Sequence, residues 1–438
     1  MHRSILRIAL PSIVSNITVP LLGLVDTAIT GHLGTATPIA AIAIGSSLFS
    51  TTYWLFNFLR MSTGGLTAQS FGAEAWQDCG LHLSRSLTLG LGIALLLLLL
   101  QQPLLSLGLF LLHPSPAVAT LATTYYQLLI WGAPAMLALF SLNGWLLGLQ
   151  DARSPMWVAL LQNISNILLS LLFVYAFGWG LIGVALGTLL AQWLGALLAF
   201  FFALQHLQRL SIPLSALSPW HPLSAWRSLF TLNRDIFLRT LCLVSVMFAF
   251  TAWGSRLGST TLAVNALLLQ FFLLVSYVMD GFAYAGEALG GRLYGAQDRT
   301  AFRQLVRQLF LWGIGLSILF SFSFLLGGDQ LVALLTDLPH LRQTAHFFLP
   351  WVQLLPLVSC AAFLLDGLYV GLTATRPMLI GVGAAAIIFF AVAGWLSPTL
   401  GNHALWLAFL LYLLTRGAMQ MLLLPRLLHN KFSGAPTP

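Results

Sequence analysis

Twelve stretches of about 20 or more mostly apolar residues run through the chain, each long enough to cross a hydrocarbon core of about 30 Å. They lie near 10–31, 37–60, 86–110, 118–148, 156–178, 181–206, 230–254, 260–288, 304–327, 344–371, 377–397 and 402–425. Inside lipid, every backbone N–H and C=O must find a partner within its own segment or in a closed barrel. Segments of this length and spacing are therefore read as helices, and the expected fold class is an all-α polytopic membrane protein with twelve transmembrane helices. Composition removes the soluble alternatives. Only 7% of the 438 residues are Asp, Glu, Lys or Arg, against roughly 25% in an ordinary soluble domain. So few charges cannot cover the surface of a water-soluble enzyme. Cys79, Cys242 and Cys360 are too few and too scattered for a disulfide framework or a metal site.

Charge sets the orientation. Of 19 basic residues, 18 are Arg, and they stand singly between apolar runs. That spacing speaks against a nucleic-acid partner. With both termini in the cytoplasm, fourteen basic residues fall on the inner side and two, Arg256 and Arg342, outside. The remaining three, Arg60, Arg239 and Arg416, fall in or near spans. This asymmetry is the one the positive-inside rule requires. The N-terminal run MHRSILRIAL is basic and then apolar, but no small-residue cleavage site follows, so it is read as a retained first span.

The two halves of the sequence resemble each other. LNGWLLGLQDARSPM, from Leu142, aligns with LDGLYVGLTATRPM, from Leu365, pairing Asn143 with Asp366 and Gly144 with Gly367. The offset is 223 residues, and it also aligns Gly72-Ala73 with Gly295-Ala296. The expected organisation is a first lobe over 1–207, a cytoplasmic linker over 208–229 and a second lobe over 230–438. Each lobe holds six helices, so the lobes enter from the same side and are related by an axis along the membrane normal. Such a plan puts a substrate path between the halves. It favours a transporter over an enzyme, for which no paired His, zinc motif or Ser/Lys dyad is present on one face of a span.

Carboxylates inside a membrane are costly, and each is a functional candidate. Asp26, Asp280, Glu287 and Asp366 fall within the spans. Asp26 lies in the first, and an isolated carboxylate there takes a proton or finds a cation. In the fifth span Asn163, Asn166 and Ser170 follow helical spacing, with Asn166 and Ser170 on one face. Thr188 follows one span later, beside Gly183 and Gly187, which permit close helix approach. Polar groups on facing helices can ligate a cation or hydrogen-bond a protonated Asp26. Purely structural bonding between helices is the other reading. Asp280, Glu287 and Asp366 form a second site or pair with Arg239 or Arg416. Pro11 and Pro20 lie in the first span and allow it to bend. The glycosylation sequons at Asn16 and Asn163 fall within spans and are set aside.

Several segments together resemble one family. They are SNITVPLLGLVDTAITGHLG at 15–34, FLRMSTGGLTAQSFGA at 58–73, LNRDIFLRTL at 232–241, DGFAYAGEA at 280–288 and GNHALWLA at 401–408. The chain is similar to the multidrug and toxin extrusion (MATE) transporters, and to their DinF-type branch, over nearly its whole length. The resemblance implies two pseudo-symmetric six-helix bundles around a central cavity, in a bacterial inner membrane. It also implies export of organic, often cationic, compounds in exchange for H⁺ or Na⁺, with no other cofactor. By the same resemblance Asp26 is the coupling carboxylate, and Asn166 and Thr188 are polar positions of a first-lobe cation site. Tyr125 and Asn143 line the first-lobe cavity, with Asn163 counted beside them, and Pro11 is the bending proline. Many members have an Asp where this chain has Ser170. Losing that charge disfavours a hard cation, so H⁺ is the expected coupling ion. Na⁺ at Asp26, Asn166 and Thr188 is the alternative, and a lipid-linked-precursor flippase is the competing function. Nothing in the sequence demands more than a monomer.

Overall fold

The computed structural model describes residues 1–31, 36–213, 217–218 and 223–432. Its helices fall on the apolar stretches. They are α1 (His2–Gly31), α2 (Ala36–Leu55), α3 (Phe58–Gly72), α4 (Trp76–Leu99), α5 (Gln101–Leu112), α6 (Pro116–Leu129), α7 (Ala133–Gly148) and α8 (Arg153–Leu171). There follow α9 (Gly180–Arg209), α10 (Leu223–Arg256), α11 (Ser259–Gly295), α12 (Arg299–Leu335), α13 (Pro339–Gly371), α14 (Thr375–Leu400) and α15 (Asn402–Phe432). Among the described residues, eleven segments are long and apolar enough to cross a bilayer. The 30-residue α1 stands at the place of the first expected span. Three of the twelve stretches are interrupted: α2 and α3 meet at a turn, α4 and α5 at Leu100, and a 3₁₀ turn over Ile130–Gly132 joins α6 to α7. Large apolar side chains such as Leu334, Trp395, Phe248 and Ile387 are more than two-thirds exposed. That surface is acceptable only against lipid.

The chain divides into two compact units. One is Val14–Leu229, and the other combines Met1–Ile13 with the chain from Phe230 onward. The first is built on a core around Trp145, Leu83 and Leu142. Trp145 is wholly buried and donates to the Cys79 carbonyl at 2.7 Å. The second has a larger aromatic core, in which Phe250, Trp406 and Phe409 meet with centroids 5.2–6.4 Å apart.

The repeat seen in the sequence is a repeat of backbone geometry. In the first unit α7 crosses α3 with Gly144 against the Arg60 carbonyl; in the second α13 crosses α11 with Gly367 against the Ala283 carbonyl. All four positions obey the 223-residue offset. A Cβ at either glycine would overlap the facing backbone, so these crossings admit no other residue without separating the helices. The helix ends repeat as well. Glu74 and Gln150 end α3 and α7 with φ of 57° and 68°, and Gln297 and Thr373 end α11 and α13 with 55° and 50°. Each is followed by the paired backbone bonds of a Schellman motif, as in Ala75 N–H to Ser70 and Asp298 N–H to Leu293. Both units thus fold their central helix pair by the same local rules.

Candidate functional site

In the first unit the polar cluster forms between α8 and α9. Asn166 donates through Nδ2 to Thr188 Oγ1 at 2.8 Å, and Thr188 in turn donates to the Val184 carbonyl at 3.0 Å. Asn166 and Ser170 are almost wholly buried, and Gly187 lies directly against Ser170, which lets the two helices touch. The cluster is underbonded. Asn166 Oδ1, Ser170 Oγ and Asn163 Nδ2 are buried without a partner among the described residues. On α7, Asn143 Oδ1 is in the same condition. Orphaned buried polar atoms are rare and costly, so a face with two free oxygens and a free amide is ready for a proton-bearing group, a cation or water. Immediately after Leu171 the helix passes into a π-turn over Leu172–Ala176, a local widening common at functional positions.

Of the other first-unit candidates, Tyr125 on α6 is buried and its hydroxyl lies 3.5 Å from Ser46 Oγ. The side chains of Asp26 and Pro20 lie outside the described residues; their backbone belongs to α1. That helix is unbroken through both Pro11 and Pro20.

The second-unit carboxylates have different surroundings, although Asp280 lies near enough to act electrostatically on Arg416, a partner of Asp366. Asp366, on α13, is buried and held from three sides. Its Oδ2 accepts from Arg239 Nη2 of α10 and from Arg416 Nη2 of α15. Its Oδ1 accepts from Gln420 Nε2, also on α15, at 2.6 Å. Arg416 additionally lies over the Phe363 ring, 5.8 Å from its centroid. The two pairings open at the sequence level, Arg239 or Arg416, are therefore both realised. Asp366 is thus ion-paired, with three of a carboxylate's roughly four acceptor sites filled. Asp280 is half-buried and accepts from Ser276 Oγ at 3.3 Å, while Glu287 is almost wholly buried on α11, the helix packed against α13. Among the described residues no group of three or more His, Cys, Asp or Glu could hold a metal ion.

Three polar constructions carry little or no sequence signal. Gln420 is the third partner of Asp366, marked only by its place one turn after Arg416. Asn265 and Asn402 exchange amide bonds at 2.7 and 2.8 Å, with Trp406 adding a bond to Asn265 at 2.9 Å. Asp151, in the loop before α8, accepts from the Arg153 and Ser154 backbone and from Ser154 Oγ, and pairs with His206 of α9 at 2.9 Å. Burial alone pushes this carboxyl up, but the hydrogen bonds from His206 and Ser154 outweigh it and hold it at about 2.

Comparison with known proteins agrees with this architecture. A family model described as MatE matches the chain twice, over residues 11–172 and 236–396, one match in each sequence half. The chain is 40% identical over 419 residues to the DNA damage-inducible protein F of Escherichia coli K12, covering 95% of this chain and 90% of that one. It is 26% identical over 428 residues to a probable multidrug resistance protein NorM of Rhizobium meliloti, covering 93% and 90%. Among solved structures, a MATE transporter in the bent conformation matches with a TM-score of 0.88 over 99% of this chain and 97% of that one, at 19% identity. An outward-facing multidrug resistance MATE transporter matches with a TM-score of 0.87, covering 98% and 96% at 19% identity.

Proposed function

Because the chain belongs to the MatE family, a family of multi-pass membrane transporters, we propose that it exports organic, often cationic, compounds from the cytoplasm in exchange for H⁺, coupled through Asp26. One observation carries the choice of Asp26. In the second unit Asp366, the buried carboxylate at the repeat position of Asn143, is neutralised by two arginines. In the first unit no acid among the described residues joins the underbonded Asn166 cluster, and Ser170 stands at the fourth residue after Asn166. A lone carboxylate in apolar surroundings carries a proton by desolvation alone. Protonation of Asp26 from outside removes its charge, rearranges α1 and its hydrogen bonding toward Asn166 and Thr188, and releases the drug outward. Deprotonation to the cytoplasm resets the carrier. Proton and drug then favour opposite states, which antiport requires. The termini are cytoplasmic and the membrane is the bacterial inner membrane.

Na⁺ is the less favoured ion because hard cations gain from ligand charge, and the oxygens of Asn166, Ser170 and Thr188 are neutral. The flippase reading needs free guanidiniums for an anionic headgroup, whereas Arg239 and Arg416 both bond Asp366. The deciding experiment is drug-driven pH change in proteoliposomes. The proposal expects proton movement that persists when Na⁺ is replaced by choline and is lost in Asp26→Asn. Normal export by Asp26→Asn would refute the assignment.

A further inference from the structure

The α12 helix carries a one-sided pattern that has no part in the coupling proposed above. Arg299, Arg303 and Arg307 recur every four residues from its first turn, and the same line continues through Leu311, Ile314 and Ile318. Arg303 and Arg307 are exposed, and the three apolar residues are each about half exposed. Successive positions spaced by three or four residues lie on one helix face. The face is therefore basic at one end and oily above it.

Depth makes the pattern informative. From Arg299 to Arg307 the helix rises about 12 Å. The polar headgroup layer on one side of a bilayer is only about 5–7 Å thick. A line of arginines that long is enough to cross the headgroup layer. No described acid on this face answers them: Asp298, just before the helix, caps it by accepting from the Ala301 backbone at 2.9 Å. At the foot of the line Arg299 Nε is buried without a partner among the described residues. Guanidinium forks match phosphate in a two-bond geometry that ammonium groups do not provide.

We propose that this face of α12 is a binding site for an anionic glycerophospholipid on the arginine-rich side of the bilayer. Its phosphates bond Arg303 and Arg307, with Arg299 below, and an acyl chain lies along Leu311, Ile314 and Ile318. The site is separate from the Asp366 cluster and does not depend on which ion drives transport.

The test is native mass spectrometry of the full-length protein in detergent, titrated with phosphatidylglycerol or phosphatidylcholine of identical acyl chains. The wild type is expected to retain phosphatidylglycerol preferentially. Arg303→Gln/Arg307→Gln is expected to lose about 25-fold in that retention, from roughly fivefold per arginine near an anionic surface. Arg209→Gln, an exposed arginine at the end of α9, is the control and should retain the lipid as the wild type does. Should the double variant not purify, Arg307→Gln alone is measured in its place and should lose about fivefold. Equal retention of both lipids by the wild type overturns the proposal. So does undiminished phosphatidylglycerol binding by the variant, or an equal loss in the Arg209 control.

Discussion

Asp366 shows how burial and partners fix what an acid does. Two guanidiniums and an amide compensate its desolvation, so removing the charge strands two buried cations. Asp366→Asn is expected to destabilise the protein by about 3–5 kcal/mol, measured by unfolding in detergent. Asp26→Asn should instead abolish transport with little change in the unfolding transition. The sequence marks both acids as candidates from their place inside apolar runs. It leaves the partner of Asp366 open because Arg239 and Arg416 are 127 and 50 residues away, and only tertiary folding brings them together. Gln420 is illegible for another reason: an amide in an apolar run carries no charge to demand a partner.

At the scale of elements, the crossings of α3 with α7 and α11 with α13 rest on glycines that touch a facing carbonyl. Gly367→Ala must push α13 off α11 and is expected to cost about 1–3 kcal/mol, read as a lowered unfolding temperature in detergent. The duplication of these pairs is legible because motif and spacing recur together. The breaks at Leu100 and at Ile130–Gly132 carry only the local signals of Gln101-Gln102-Pro103 and of Gly132 with Pro134, which a reading by apolar length passes over. The Asp151 loop offers a pH test at the same scale. Its carboxyl is depressed in the folded state to about 2 from an unfolded 3.8. The stability it contributes is therefore present above about pH 4–5 and fades as pH falls toward 2. Unfolding of wild type and Asp151→Asn should differ by a constant amount above that window and converge below it.

For the whole molecule, the twelve-span plan is legible because lipid leaves a chain of this composition almost no other solution, and the family is legible only through the resemblance of particular segments. The assignment of work between the units is harder to read. Equivalent positions in the two halves hold different chemistry: Asn16 and Asn143 in one, Arg239 and Asp366 in the other. If one unit carries the coupling, proteoliposomes of Asp280→Asn should still show drug-driven pH change, whereas those of Asp26→Asn should not.

The ion pairs around Asp366 also bear on how such a protein can evolve. A duplicated scaffold would ordinarily let a duty drift from one copy to the other through single changes. Here Asp366 itself cannot take it up by one change, because freeing this acid requires the loss of two arginines, and losing either alone leaves the other holding it. At Asn143 and Asp366 the difference between the halves is thereby self-preserving: an intermediate that has lost one arginine keeps a carboxylate that is still held and no longer fully compensated.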